Sequence, residues 1–416
     1  MGDLDFEKRD ILAIDLKSFY ASVECIDRGL DPFRTPLIVC DPDRGDGSIV
    51  MAVTPFLKKK GVPSRCRRRD VPEVPNLIVA VPRMARYLEI SARINDIYLR
   101  HVDEADLHVY SVDESFLDVT DFLWAAGTDA VGLARRIIAE VKRETGLTVC
   151  AGVGQNMFLA KVAMDIEAKH NPDFLARWTI DDVPAKLWPV SPLSEMWGIG
   201  SRMESRLNAM GFFKVGDIAQ EDPQVLISEF GVVGGELWLH SHGVDRAIIA
   251  RKQERAPTSL SVGQQLHLPA RGAQIHLLGR EMGRELAIRL AQKHLAASTL
   301  TAWMGGDETW AGTIHLDRPI VTSHELEQAV EQILRRRGVP KEIYSIGLVA
   351  GQLSSAEALQ LDLMTDWQAR RKDEELDATL AQVRAAFGPT AITRASALLR
   401  GSTSLRRAEQ IGGHKA

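Results

Sequence analysis

The sequence predicts an α+β protein built from more than one domain. Two observations carry this. Strands and helices mix in irregular order over residues 1–170, and residues 259–351 spell a separate β-α-β-β-α-β pattern. The chain has 416 residues, of which 45% are hydrophobic and 26% charged, so it has material for sizeable cores and is no fibrous or disordered protein. Its four cysteines (Cys25, Cys40, Cys66 and Cys150) form no C-x-x-C pair, which argues against a zinc site or a disulfide framework and suits a reducing cytoplasm. The charged N-terminus lacks the apolar stretch of a signal peptide, and no apolar run approaches the ~20 residues of a membrane span.

The elements follow in order. Residues 10–16 (DILAIDL) read as a buried strand, and 18–28 continue with helical spacing. Residues 36–40 and 48–54 read as strands parted by the turn-rich DPDRGDG. A helix over 83–100 begins after Pro82 and sets Met84, Leu88, Ile94 and Ile97 on one stripe. Strands at 106–112 and 115–119 join at Asp113-Glu114. A helix over 129–145 stops at Gly146, then a strand covers 147–154 and a helix 156–169. From Asn171-Pro172 the chain is helical with short loops, up to a polar linker at 251–258. Beyond it come a strand (259–268), a helix (273–297), two strands (298–305 and 309–317), a helix (323–337) and a strand (343–351). Thr322 and Glu325 form a capping box for that last helix. Residues 356–416 read as a polar helical extension.

Net charge is −5, which alone argues against a protein that coats nucleic acid by charge. Its distribution is uneven. Residues 58–70 hold seven Lys and Arg against one acid, and residues 101–121 hold seven acids with no Lys or Arg. Single-sign blocks repel themselves unless something bound offsets them. The first suits a polyanion and the second a cation. Residues 251–355 carry 13 basic and 10 acidic residues, a slight basic excess.

Asp15 ends the first strand, and Asp113 and Glu114 sit between two strands 98 residues later. Adjacent strands of one sheet would gather these three carboxylates, and hard divalent ions such as Mg²⁺ prefer oxygen ligands of this kind. Two such ions can clamp an in-line phosphoryl displacement.

The local sequences are Asp15-Leu16-Lys17-Ser18-Phe19-Tyr20-Ala21-Ser22-Val23-Glu24 and Tyr110-Ser111-Val112-Asp113-Glu114-Ser115. Here the chain resembles the Y-family DNA polymerases, and within them the UmuC-like ImpB/MucB/SamB branch of translesion enzymes. The resemblance runs through essentially the whole chain. It implies a right hand: a palm (1–18 and 86–173), fingers (19–85) and a helical thumb (174–250). A little finger (256–355) and a C-terminal tail (356–416) follow. It further implies low-fidelity DNA-directed synthesis in DNA repair and the SOS response, in a bacterial cytoplasm, with primer-template DNA and dNTP as substrates and two Mg²⁺ ions as cofactors. Other SOS or repair proteins are further implied partners.

Carried over by position, the resemblance makes Asp15 and Asp113 the ligands that bridge the metals. Glu114 becomes the ligand on the primer side, and the Leu16 carbonyl a ligand on the nucleotide side. Tyr20 takes the place of a steric gate against ribonucleotides, with Phe19 beside it, packed near the incoming nucleotide or into the palm. Lys58 and Lys161 match phosphate-binding positions. Departures accompany these matches. Lys58 replaces an arginine and loses its bidentate fork, Pro55 replaces a tyrosine, and Lys17 stands where many relatives have Asp or Asn, which excludes a fourth carboxylate. Trp197-Gly198-Ile199-Gly200 resembles a helix-hairpin-helix whose glycines approach a DNA phosphate. Ser259, Ser261 and Gly263 match the opening strand of the little finger, which grips DNA backbone. Gln360-Leu361-Asp362-Leu363-Met364 resembles the sliding-clamp pentapeptide Q-L-x-L-F, with Met364 replacing the final Phe. A non-catalytic relative that only binds the clamp is one alternative. A palm-fold nucleotidyl cyclase is another, disfavoured by the regions after residue 174.

Overall fold

The computed structural model describes residues 4–251, 256–358 and 366–415. The chain divides into two compact units, Met1–Gln253 and Glu254–Ala416.

The first unit is organised on a five-stranded sheet. Its central strand, Ile11–Leu16, is apolar and almost wholly buried. Antiparallel neighbours flank it, Glu114–Asp118 on one side and Val149–Gly154 on the other. Leu107–Val109 and Leu175–Trp178 complete the two edges. Helices Met84–Tyr98 and Ala130–Thr145 supply amphipathic cover, the second capped by Asp129 and closed by Gly146 in the left-handed region. The helix starting at Met157 lies directly on the sheet. A Cβ at Gly152 or Gly154 would fall within 2.1 Å of the Ala160 backbone, so only glycine permits this approach.

Residues 37–80 form a separate small sheet, with Leu37–Val39 antiparallel to Ala52–Val53 and parallel to Ile78–Ala80. Its core is Ile38, Cys40, Val50, Val53, Leu57 and Val62. Four short helices, Ser201–Ala209, Val215–Ala219, Pro223–Phe230 and Val232–Ser241, share a continuous core with the main sheet through Phe116, Phe158 and Leu207.

The second unit is a four-stranded antiparallel sheet in the order Thr309–Ile320, Leu295–Gly305, Ile343–Ser355, Ser259–Ala270. Helices Ala273–Gln292 and Ser323–Arg337 bury against one of its faces, and the capping box at Thr322 and Glu325 is formed. The tail helix Trp367–Phe387 and the residues after it return to these two helices. Asp377 accepts from the Ser323 amide at 2.7 Å. Buried Glu281 accepts from the Ser402 hydroxyl and from the Thr403 amide and hydroxyl.

Several expectations need correction. Leu88 is exposed, because the buried stripe of its helix runs through Met84, Tyr87, Ser91, Ile94 and Tyr98; at ~100° per residue Leu88 falls off its edge. The helix expected to reach residue 297 stops at Gln292, since His294 turns into the left-handed region and alternating burial begins at Leu295. The strand expected over 48–54 is reduced to Ala52–Val53. The helix expected over 156–169 is α-helical only to Val162, and Ala163–Ala168 is a π turn. The tail is not helical throughout: Gly412 and Gly413, both with positive φ, turn Gln410–Ile411 against His414–Lys415.

Candidate active site

Strand register brings the acids together. Asp15 lies opposite Glu114, and the Leu16 amide donates to the Asp113 carbonyl at 2.9 Å. Carboxylates at positions 15, 113 and 114 therefore share one end of the central strands. Ser111 donates its hydroxyl to Asp113 Oδ1 at 2.7 Å. Burial raises the pKa of Asp15, which neighbouring Lys169 opposes and Asp113 reinforces. Burial likewise raises that of Glu114, against the hydrogen bond from Lys161.

Lysines balance these acids. Lys161 is buried and donates to Glu114 Oε2 at 2.8 Å. Glu114 Oε1 lies 2.7 Å from the same ammonium, so the lysine sits against both carboxylate oxygens. Lys169 reaches Asp15 at 3.2 Å. Asp165 lies between the two lysines, 3.1 Å from Lys161 and 2.9 Å from Lys169. Burial lowers the pKa of Lys169, but Asp15 and Asp165 outweigh it and the net shift is upward. Lys58 lies within electrostatic reach of Asp15 and Asp113. Enclosure lowers its pKa, Asp15 opposes the shift, and Lys169 and Lys17 add to it. Lys17 is turned away: its ammonium donates to the Lys169 carbonyl at 2.6 Å and sits 4.9 Å over the Phe174 ring.

These residues fit a hard divalent cation by the chemistry of their donors, with Asp15, Asp113 and Glu114 all offering carboxylate oxygens at one end of the sheet. Among the described residues, however, no three acidic, His or Cys side chains converge into a ready-made cage. The cause is visible in the ion pairs, since Lys161 holds Glu114 and Lys169 holds Asp15.

Tyr20 is half-buried and stacks on Tyr87, with ring centroids 4.5 Å apart and planes at 22°. The Tyr87 hydroxyl donates to buried Glu24, which also accepts from Arg83 and Arg28. Phe19 takes the inward of its two expected places. Its side chain is 2% exposed, so it packs in the core behind Tyr20 and presents no ring face to a ligand.

A cleft of about 480 Å³ opens beside the acids, bounded by Tyr110, Lys161 and Asp165 on one side and Glu195, Trp197 and Gly198 on the other. Gly198 has φ of 94°, and Gly200 starts the helix Ser201–Ala209. In the second unit, Ser259, Ser261 and Gly263 alternate on the exposed face of the edge strand Ser259–Ala270. Gln360, Leu361, Leu363 and Met364 lie outside the described residues.

The model of the impB/mucB/samB family matches residues 14–165, that of its HHH motif residues 181–212, and that of its C-terminal domain residues 257–363. A putative UV-damage repair protein, UvrX of Bacillus subtilis (strain 168), is 33% identical over 99% of this chain and 99% of its own. The chain belongs to the impB/mucB/samB family of Y-family DNA polymerases. A DNA polymerase IV of Pelotomaculum thermopropionicum is 31% identical over 93% of this chain and 95% of its own. In fold, the chain matches the Y-family DNA polymerase chimera Dbh-Dpo4(243-245)-Dbh with a TM-score of 0.66, at 22% identity, over 82% of this chain and 98% of that one. No helix among the described residues is long and apolar enough to cross a membrane.

Asp165, Lys169, Tyr87 and Glu24 were not singled out by sequence reasoning. The 161-165-169 spacing is a readable i, i+4, i+8 series, although such series are common on solvated helices. Nothing in the sequence marks Tyr87 as the partner of Tyr20.

Proposed function

We propose that this Y-family polymerase is a DNA-directed DNA polymerase of translesion synthesis, extending a primer 3′-hydroxyl with dNTP across damaged template. The observation that carries the reading is the strand register that sets Asp15 opposite Glu114, with Asp113 alongside and Lys161, paired with Glu114, on the wall of a neighbouring cleft.

In this reading Asp15, Asp113 and Glu114, with the Leu16 carbonyl, hold two Mg²⁺ ions. When bound, these ions lower the pKa of the attacking hydroxyl and stabilise the departing pyrophosphate. The remaining work belongs to side chains. Lys58, Lys161 and Lys169 offer positive charge to the triphosphate; as ammonium groups they act as point charges and do not fork. Tyr20 lies beneath the incoming sugar, where a 2′-hydroxyl would clash with its ring. Phe19 and Tyr87 hold that ring from behind. The amides around Gly198 and Gly200, and the strand carrying Ser259, Ser261 and Gly263, contact DNA backbone without reading bases. The pentapeptide from Gln360 to Met364 recruits a sliding clamp.

Primer extension with Mg²⁺ on damaged and undamaged templates tests this. Asp113→Ala should lower extension at least ~100-fold, the scale of several kcal/mol of lost charge stabilisation. Equal extension by wild type and Asp113→Ala would remove the assignment.

A further inference from the structure

Asp165 lines the cleft but lies off the strands that carry Asp15 and Glu114. It stands on the π turn Ala163–Ala168 and touches both lysines that neutralise those strands. Each lysine is shared. Lys161 divides its ammonium between Glu114 at 2.7 Å and Asp165 at 3.1 Å, and Lys169 divides its own between Asp15 at 3.2 Å and Asp165 at 2.9 Å.

The sharing has a physical consequence. An ammonium and a divalent cation compete for the same carboxylate oxygens. A lysine displaced from its only partner would become a buried charge with nothing opposite it, and Lys161 keeps only 8% of its side chain exposed. That cost would fall on cation binding. A second carboxylate already in contact removes it, because the lysine gives up one partner and keeps the other. Local winding supports the arrangement. A continuous α-helix would place residues 161 and 169 roughly 80° apart around its axis. The wider π turn between them brings them closer to one line, with Asp165 in between.

We propose that Asp165 is a positioning residue that retains Lys161 and Lys169 when Glu114 and Asp15 turn to a divalent cation, so that the two lysines act as displaceable internal counter-ions. The proposal rests on the reading of Asp15, Asp113 and Glu114 as cation ligands. It assigns Asp165 no contact with the cation itself.

The test is Mn²⁺ binding to the full-length protein without DNA or nucleotide, read from the electron paramagnetic resonance signal of free Mn²⁺. Asp165→Asn should weaken binding about fivefold, and Asp165→Glu should restore it to within about twofold. Lys169→Met should tighten binding, because a competitor is gone. In a Lys161→Met/Lys169→Met background, Asp165→Asn should change affinity by less than about twofold. Lys169→Met alone serves as the background if the double variant does not fold. An equal loss from Asp165→Asn in both backgrounds would mean that Asp165 acts only through its field, and the proposal falls. No loss in either background also overturns it. Asp113→Ala separates the two levels. If it binds Mn²⁺ as wild type does, the ligand reading itself is wrong. If it loses Mn²⁺ while Asp165→Asn does not, only the role of Asp165 is lost.

Discussion

The ring of Tyr20 is held by a chain of contacts. Tyr87 stacks on it, Glu24 accepts from the Tyr87 hydroxyl, and Arg83 and Arg28 fix Glu24. A ring fixed in this way can exclude by shape. Tyr20→Ala should therefore raise insertion of CTP relative to dCTP by ~10–100-fold in single-nucleotide assays, within the range that pocket shape alone delivers. An unchanged ratio would take Tyr20 out of the gate. The same chain has a pH signature. Burial would raise the pKa of Glu24, but the hydrogen bonds from Arg83, Arg28 and Tyr87 outweigh it, and the net shift is downward. A carboxylate with a folded pKa below its unfolded one stabilises the fold above the unfolded value, about 4.3, and loses that contribution as pH falls through the folded value. Glu24→Gln should flatten the fall in melting temperature below about pH 4. A steep acid limb in the variant would point to other carboxylates. At this scale Asp15, Asp113 and Glu114 were legible because their flanking motifs are specific. Asp165 and Lys169 were not, since their meaning depends on which strand the helix lies upon.

Among the elements, hydrophobic pattern located the central strands and the long helices, missed the short strands Ile78–Ala80 and Leu175–Trp178 (the latter in a stretch read as helical), and erred where backbone geometry overrides pattern. His294 ends a helix that apolar spacing would extend, and the π turn leaves no mark in an apolar helical run. The tail shows the same limit. Its polarity reads as a solvated extension, yet it is attached through side-chain pairs with the helices of the second unit. Arg370 is buried beside Glu325, and Arg407 pairs with Glu285. Glu281 anchors Ser402 and Thr403. Glu281→Ala would leave the buried Thr403 amide without an acceptor and should cost about 1–3 kcal/mol, measured by denaturant unfolding of the full chain. A change below ~0.5 kcal/mol would mean that the tail adds nothing to the stability of that unit.

For the whole molecule, a net charge of −5 conceals an internal division of labour. Part of the acidic run at 101–121 never faces a cation, because Arg9 pairs with both Asp118 and Asp121. Asp113 and Glu114 remain at the cleft. Modest overall charge predicts a weak grip on DNA phosphates, and the proposed clamp peptide would supply the hold that charge does not. Replacing Leu363 and Met364 with Ala should abolish stimulation by the clamp and leave basal extension intact; loss of both would make the segment structural. The attached tail adds a distance to this picture. The last strand is paired up to Ser355, and the helix beginning at Trp367 is fixed through Arg370 and Asp377. In sequence, residues 360–364 fall between these two anchored elements. Eight residue steps separate Ala358 from Asp366, at most about 27 Å of chain at ~3.4 Å per residue. A ring bound there would be kept on a short mooring, and lengthening either side with Gly-Ser repeats is the direct way to let the line out.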